Sequence, residues 1–203
     1  MSMSSVQTKK IDAASCCLHY LTAGEPENTV VILLHGMKFN AATWEDLGTI
    51  DKLADAGYYP VALDMPGFGE SLVCDAEQDK VLSEFIRQNE FDRPVVIGPS
   101  MGGRIALEFA LNHPGILGGL ILVGAVGVEE NRDRLAELDL PVLLLWGGED
   151  QISPLANSEI LLRKISDVQR IIIEGAPHPC YLDQPDAWHS AVFKYLSSLR
   201  KEK

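Results

Sequence analysis

Six short apolar runs, rich in β-branched residues, recur along the chain: Val30 to Leu34, Pro60 to Leu63, Pro94 to Ile97, Leu120 to Val123, Val142 to Trp146 and Val168 to Ile173. A run without polar alternation has no face to give to water, so each predicts a strand buried on both sides. Helical spacing fills the intervals, at Ala42 to Ala56, Ala76 to Asn89, Met101 to Leu111, Arg132 to Leu138, Leu155 to Ile165 and Pro185 to Leu199. Strands that alternate with helices predict a mostly parallel sheet with helices on both faces. Ahead of the first run, Lys9 to Ala13 and Cys17 to Leu21 predict an antiparallel hairpin at one sheet edge, for about eight strands in all. No repeat, low-complexity tract or Pro/Ser-rich linker interrupts the pattern. Residues 1–203 therefore read as a single α/β domain, with about the first six residues flexible.

A chain of 203 residues can bury a substantial core without disulfides or a structural metal. Its 17 basic and 29 acidic residues give a net charge of −12, which opposes binding to nucleic acid and to anionic membrane surfaces. The start is polar, and no apolar run has the length of a membrane span, so a soluble, cytoplasmic protein is expected. Cys16, Cys17, Cys74 and Cys180 show no CxxC spacing and read as reduced thiols, with Cys16 and Cys17 pointing to opposite faces of a strand.

Chemistry concentrates at Gly98-Pro99-Ser100-Met101-Gly102, which joins an apolar run to a helical pattern. A sharp strand-to-helix turn lifts a serine hydroxyl clear of the backbone, and side chains at Gly98 or Gly102 would collide in it. The pentapeptide alone is weak evidence: with 17 glycines and 13 serines, about 0.1 such matches arise by chance. Its context is stronger. A serine nucleophile needs a base, usually a histidine oriented by a carboxylate. Asp150 follows the penultimate predicted strand and His178 the last, so all three fall beyond the carboxyl ends of strands, where ligands bind in open α/β folds. His35-Gly36-Met37 follows the first run and could place the Met37 backbone N–H beside that of Met101 as an oxyanion hole.

The order Ser, Asp, His and the His35-Gly36 loop resemble an α/β hydrolase over nearly the whole chain. Leu33 to Phe39, Thr43-Trp44, Leu47-Gly48-Thr49 and above all Gly175-Ala176-Pro177-His178-Pro179-Cys180-Tyr181-Leu182-Asp183 resemble the alpha/beta hydrolase domain-containing protein 14 family. That resemblance implies a small hydrolase without a large cap, associated with ester hydrolysis and with acyl transfer from acetylated lysine to coenzyme A. The chain departs from it at Gly102, where a close relative such as the human B-form carries serine. Only Gly124 to Leu140 separates two predicted strands at the place where many such enzymes insert a helical cap, so an open site is expected.

Other residues have plainer readings. Asp64 to Ser71 holds a G-x-G spacing without the third glycine of a nucleotide loop and reads as a structural turn. Glu149 and Asp183 compete with Asp150 as the acid; Asp183 reads instead as a cap for the helix that starts near Pro185. His35 reads as support for the oxyanion loop, His19 as decoration of a strand, and His113 and His189 as helix residues. No histidine has metal-ligand spacing, so no metal is expected. Lys38 reads as a solvated lysine, with contact to an anionic substrate group as the alternative, Cys180 as a packing thiol without an elbow, and Phe39 and Trp44 as pocket wall or core.

The expectation is a serine hydrolase that needs no cofactor and cleaves small acyl esters through Ser100, His178 and Asp150. One alternative passes the acyl group, including one from an acylated protein side chain, to coenzyme A. The other is a protein-interaction module that keeps the fold without turnover.

Overall fold

The computed structural model describes residues 5–200. Of the opening residues expected to be flexible, 1–4 lie outside those described. Strands β1 (Gln7–Ala13) and β2 (Cys16–Thr22) form the expected hairpin, in register from Gln7 opposite Thr22 to Ala13 opposite Cys16. β2 pairs antiparallel with β4 (Tyr58–Leu63), and all further pairing is parallel, through β3 (Thr29–Leu33), β5 (Val95–Pro99), β6 (Gly119–Val123), β7 (Val142–Gly147) and β8 (Val168–Ile173). The eight strands make one sheet in the order β1-β2-β4-β3-β5-β6-β7-β8.

Period-2 geometry divides each apolar run between two cores. On one face Val30, Ile32, Val96, Leu120, Leu122, Leu144 and Trp146 pack with Phe85 of α3 (Gln78–Gln88), Phe109 of α4 (Met101–Asn112) and Leu161 of α5 (Leu155–Lys164). On the other, Val31, Leu33, Ile97, Ile121, Leu143 and Leu145 pack with Trp44 of α1 (Ala42–Asp46), Ile50 and Leu53 of α2 (Thr49–Asp55), and Trp188 and Val192 of α7 (Pro185–Leu199). Both faces are thus covered, as unbroken apolar strands require.

The chain leaves β3 toward β4 on one side and returns to β5 on the other, so the strand order switches between β3 and β5. The crevice of an open α/β sheet lies at that switch, beyond the strands' carboxyl ends. The loops carrying Met37 and Ser100 flank it.

Several expectations change. The helix anticipated over Ala42 to Ala56 divides into α1 and α2 at Gly48, which sits in the left-handed region with φ 66°. Arg132 to Leu138 yields only a 3₁₀ turn at Leu135–Glu137, because so short and charged a stretch cannot offset helix nucleation. β8 is not buried on both faces: its pattern is mostly half-buried, since it is an edge strand with β7 as its one neighbour. Cys16 and Cys74 form a disulfide, which corrects the reading of reduced thiols for that pair; Cys17 and Cys180 are free. The pairing arises because the segment after β4 folds back over β2, where the Leu72 N–H donates to the Cys17 carbonyl at 3.0 Å. No helix among the described residues is long and apolar enough to cross a membrane.

Candidate active site

Ser100 stands alone between β5 and α4 with φ 51° and ψ −112°. A left-handed backbone costs a serine about 1–2 kcal/mol, so its surroundings must impose it. They do so through three backbone bonds: Ser100 N–H donates to Val123 O at 2.9 Å, and Ser100 O accepts from Arg104 N–H at 3.1 Å and Val126 N–H at 3.3 Å. The flanking glycines let three pieces of backbone meet. A Cβ on Gly98 would fall 2.3 Å from Gly102 O, and one on Gly102 would fall 2.8 Å from His35 O and 2.9 Å from Leu34 Cβ.

Asp150 and His178, the expected acid and base, converge from two other strand ends. His178 Nδ1 lies 2.8 Å from Asp150 Oδ2, and the Asp150 side chain is fully buried. The second oxygen, Oδ1, accepts the Ile152 N–H at 2.8 Å and the Ser153 N–H at 2.7 Å. A carboxylate only accepts hydrogen bonds, so the Nδ1 that meets Oδ2 carries the proton and Nε2 is left as the ring's acceptor. Glu149 and Asp183, the competing acids, are both exposed. Asp183 makes no side-chain cap on α7; it belongs to a short helix, α6 (Cys180–Asp183), that sequence periodicity did not reveal.

The loop after β3 is anchored at both ends by the end of β4. His35 Nε2 accepts the Met65 N–H at 3.1 Å, while Nδ1 donates to Gly36 O at 2.9 Å, a pattern that only a neutral imidazole satisfies. Burial pushes the His35 pKa down, consistent with that state. At the other end Asp64 Oδ1 accepts the Ala41 N–H at 2.6 Å, and Oδ2 meets the Glu70 N–H at 2.9 Å and His19 Nδ1 at 2.7 Å. His19 is therefore a buried partner of Asp64 rather than strand decoration, and the Asp64 to Ser71 turn braces the loop that carries Met37.

Ser100, His178, Met37, Gly36 and Met101 line one cavity of ≈ 430 Å³, with Lys38, Phe39, Val126, Ile152 and Tyr181 among its other walls. Met101 is the first residue of α4, so its N–H has no acceptor within the helix. Trp44, in contrast, is fully buried in the core and donates from Nε1 to Leu34 O at 3.2 Å. Cys180 is also buried, and burial pushes its thiol up to about 12, so it is protonated near neutral pH and unreactive. Among the described residues no cluster of His, Cys, Asp or Glu could hold a metal ion.

Two supports escaped the sequence. Gly124, just past β6, has φ 50°, and a Cβ there would lie 2.9 Å from Asp150 Oδ2 and 3.2 Å from His178 Nδ1. Its position at a strand end was the available signal. Asp64 was visible only as part of a turn, since its partners lie 23 and 45 residues away in sequence.

A strained serine elbow at the switch point of a parallel sheet, sharing one cavity with a histidine bonded to a buried aspartate, has the layout of an α/β hydrolase. The model for the alpha/beta hydrolase fold matches residues 29–139. The rat protein ABHD14B is 34% identical over 185 residues, covering 87% of each chain, and human ABHD14A is 31% identical over 88% of this chain and 68% of its own. The chain belongs to the α/β-hydrolase family and, within it, to the ABHD14 proteins. Among solved structures, a predicted CIB-like hydrolase from Thermoplasma acidophilum superposes with a TM-score of 0.91 at 26% identity, covering 95% of this chain and 98% of that one. An esterase from Exiguobacterium antarcticum superposes at 0.85 with 19% identity, over 94% and 100% of the two chains, a likeness of fold alone.

Proposed function

We propose that this hydrolase cleaves carboxylic esters through Ser100, His178 and Asp150. The observation that carries the reading is the shared cavity, into which the elbow brings Ser100 beside a His178 whose Nδ1 is committed to Asp150. Ser100 Oγ attacks the carbonyl carbon and its proton passes to His178 Nε2. The ester C–O bond breaks, the leaving alkoxide takes that proton, and an acyl-enzyme remains. Water then attacks the acyl carbon, giving its proton to His178 and restoring the serine hydroxyl with release of the acid. The Met37 and Met101 N–H groups receive the oxyanion, each donor contributing about 3 kcal/mol to the transition state. No cofactor enters any of these steps.

A fluorophosphonate probe tests the nucleophile. Labelling of wild type and loss of both labelling and ester turnover in Ser100→Ala is the expected result; an unlabelled wild type would favour an interaction module. Resolution of the acyl-enzyme by coenzyme A is the second reading, favoured by the likeness to rat ABHD14B, whose name assigns it provisionally as a protein-lysine deacylase. Acyl-CoA formed when coenzyme A is added would select it. The partner is then an acylated protein side chain, which an uncapped site admits.

A further inference from the structure

Four side chains bring polar atoms to the cavity over Ser100: Ser100 itself, His178, Lys38 and Tyr181. Lys38 is exposed, so its ammonium is solvated. Tyr181 is different. It is 3% exposed, yet its hydroxyl makes no hydrogen bond to any described residue and opens on the cavity instead. A buried tyrosine hydroxyl usually has a partner, so this one is a donor in want of an acceptor. Burial pushes its pKa up, which keeps the phenol protonated and neutral.

The hydroxyl is held in place by its ring. Tyr181 lies in α6, three residues after His178, with its ring centroid 5.2 Å from that of Trp44 and edge-on to Phe39 at 6.3 Å. Gly36 shows where the hydroxyl stands relative to the serine. A Cβ on Gly36 would fall 3.8 Å from the Tyr181 hydroxyl oxygen and 3.8 Å from Ser100 Cβ. Backbone conformation does not demand glycine there, since Gly36 is not among the positive-φ residues, and its Cβ would meet nothing nearer than Phe39 Cδ2 at 3.3 Å. What the absent Cβ leaves is a gap between hydroxyl and serine. An acyl carbonyl bonded to Ser100 Oγ, followed by a hydrogen bond of about 2.8 Å, spans such a gap.

The gap adjoins the oxyanion loop, because Gly36 shares its peptide bond with the Met37 N–H. Of the acceptors on an acyl substrate, the carbonyl oxygen is the one that every intermediate holds at a fixed distance from Ser100. Two N–H groups also leave an oxyanion with a further lone pair to fill. Resting on the reading of Ser100 as nucleophile, we infer that Tyr181 is a third donor to the oxyanion, its O–H bonding the carbonyl oxygen as that atom becomes negatively charged. The phenol keeps its proton throughout; His178 alone carries the proton from Ser100 to the leaving group.

The test is Tyr181→Phe in the full chain, which removes one oxygen and keeps the ring. Turnover of p-nitrophenyl acetate is measured with a thermal melt and with inhibition by a trifluoromethyl ketone, which adds the serine to form an oxyanion. The expected result is a fall in kcat of about 10- to 100-fold, a KM within about 3-fold of wild type, and a ketone affinity weakened by a factor close to that in kcat. The melting temperature should stay within about 1 °C of wild type or rise, since no bond within the protein is lost. An unchanged kcat, a change confined to KM with ketone affinity kept, or a melting temperature lowered by more than about 3 °C overturns the inference. Fluorophosphonate labelling of wild type separates these results from failure of the underlying reading. A labelled wild type loses only the role of Tyr181, whereas a wild type neither labelled nor active loses Ser100 as well.

Discussion

Replacing Asp150 by asparagine exchanges one oxygen for an amide nitrogen, and the structure dictates which one. Oδ1 accepts two backbone N–H groups, from Ile152 and Ser153, so the amide oxygen of the variant must take that place. Its NH₂ then faces His178 Nδ1 at the 2.8 Å now spanned by the carboxylate. Two donors cannot share that contact, so the imidazole moves its proton to Nε2 and no longer presents a base to Ser100. A wrong tautomer of this kind costs a serine protease about 10⁴ in kcat, which is about 5.5 kcal/mol of transition-state stabilisation. Stability should change by only about 1 kcal/mol, since the shape and both backbone bonds persist. The assay is kcat on a p-nitrophenyl ester beside a thermal melt, with Asp183→Asn as the control expected to retain activity. An Asp150→Asn enzyme within about tenfold of wild type would refute the tautomer argument and move the acid elsewhere.

Gly124→Ala places a methyl 2.9 Å from Asp150 Oδ2 at a backbone angle of φ 50°, so the Asp150–His178 pair must shift. It should lower kcat about 100-fold and stability by about 1 kcal/mol, and a variant with wild-type kcat would show that the pair is not so tightly backed. His189, buried in α7 with Nε2 bonded to Thr49 Oγ1 at 2.9 Å, has its pKa pushed down to about 4 by burial and by the nearby Lys52 charge. The unfolded chain therefore takes up this proton first. The stability from keeping His189 neutral is complete above pH 6.5 and is lost as pH falls from 6.5 through about 4. His189→Gln should flatten the decline in melting temperature across that window, and an unchanged slope would acquit the residue.

The sheet was legible because its code is local. Unbroken runs such as Leu120 to Val123 cannot present a wet face, and their alternation with helical spacing leaves few topologies. The convergence of Ser100, Asp150 and His178 was legible for a related reason: each occupies its own strand-to-loop junction, and parallel strands bring those junctions to one edge. What could not be read was contact across distance. The disulfide joins Cys16 to Cys74 over 58 residues with no spacing that marks it, and α6 is too short to show a period.

The braces of the site belong to the same hidden class, and they account for its strain. Ser100 remains at φ 51° because Val123 and Val126, on the neighbouring strand end, hold its N–H and its carbonyl. The next residue after that strand, Gly124, lies against Asp150 and His178. One short passage, Val123 to Val126, therefore fixes the elbow and backs the Asp150–His178 pair together. A displacement there would disturb both halves of the constellation, whereas the loop bearing Met37 is fixed separately, by His35 and Asp64 at the end of β4. The loop bearing Met37 and the Asp150–His178 pair thus rest on different supports, so variants at Asp64 and Gly124 should combine almost additively in stability while, in the proposed mechanism, both weaken the same transition state.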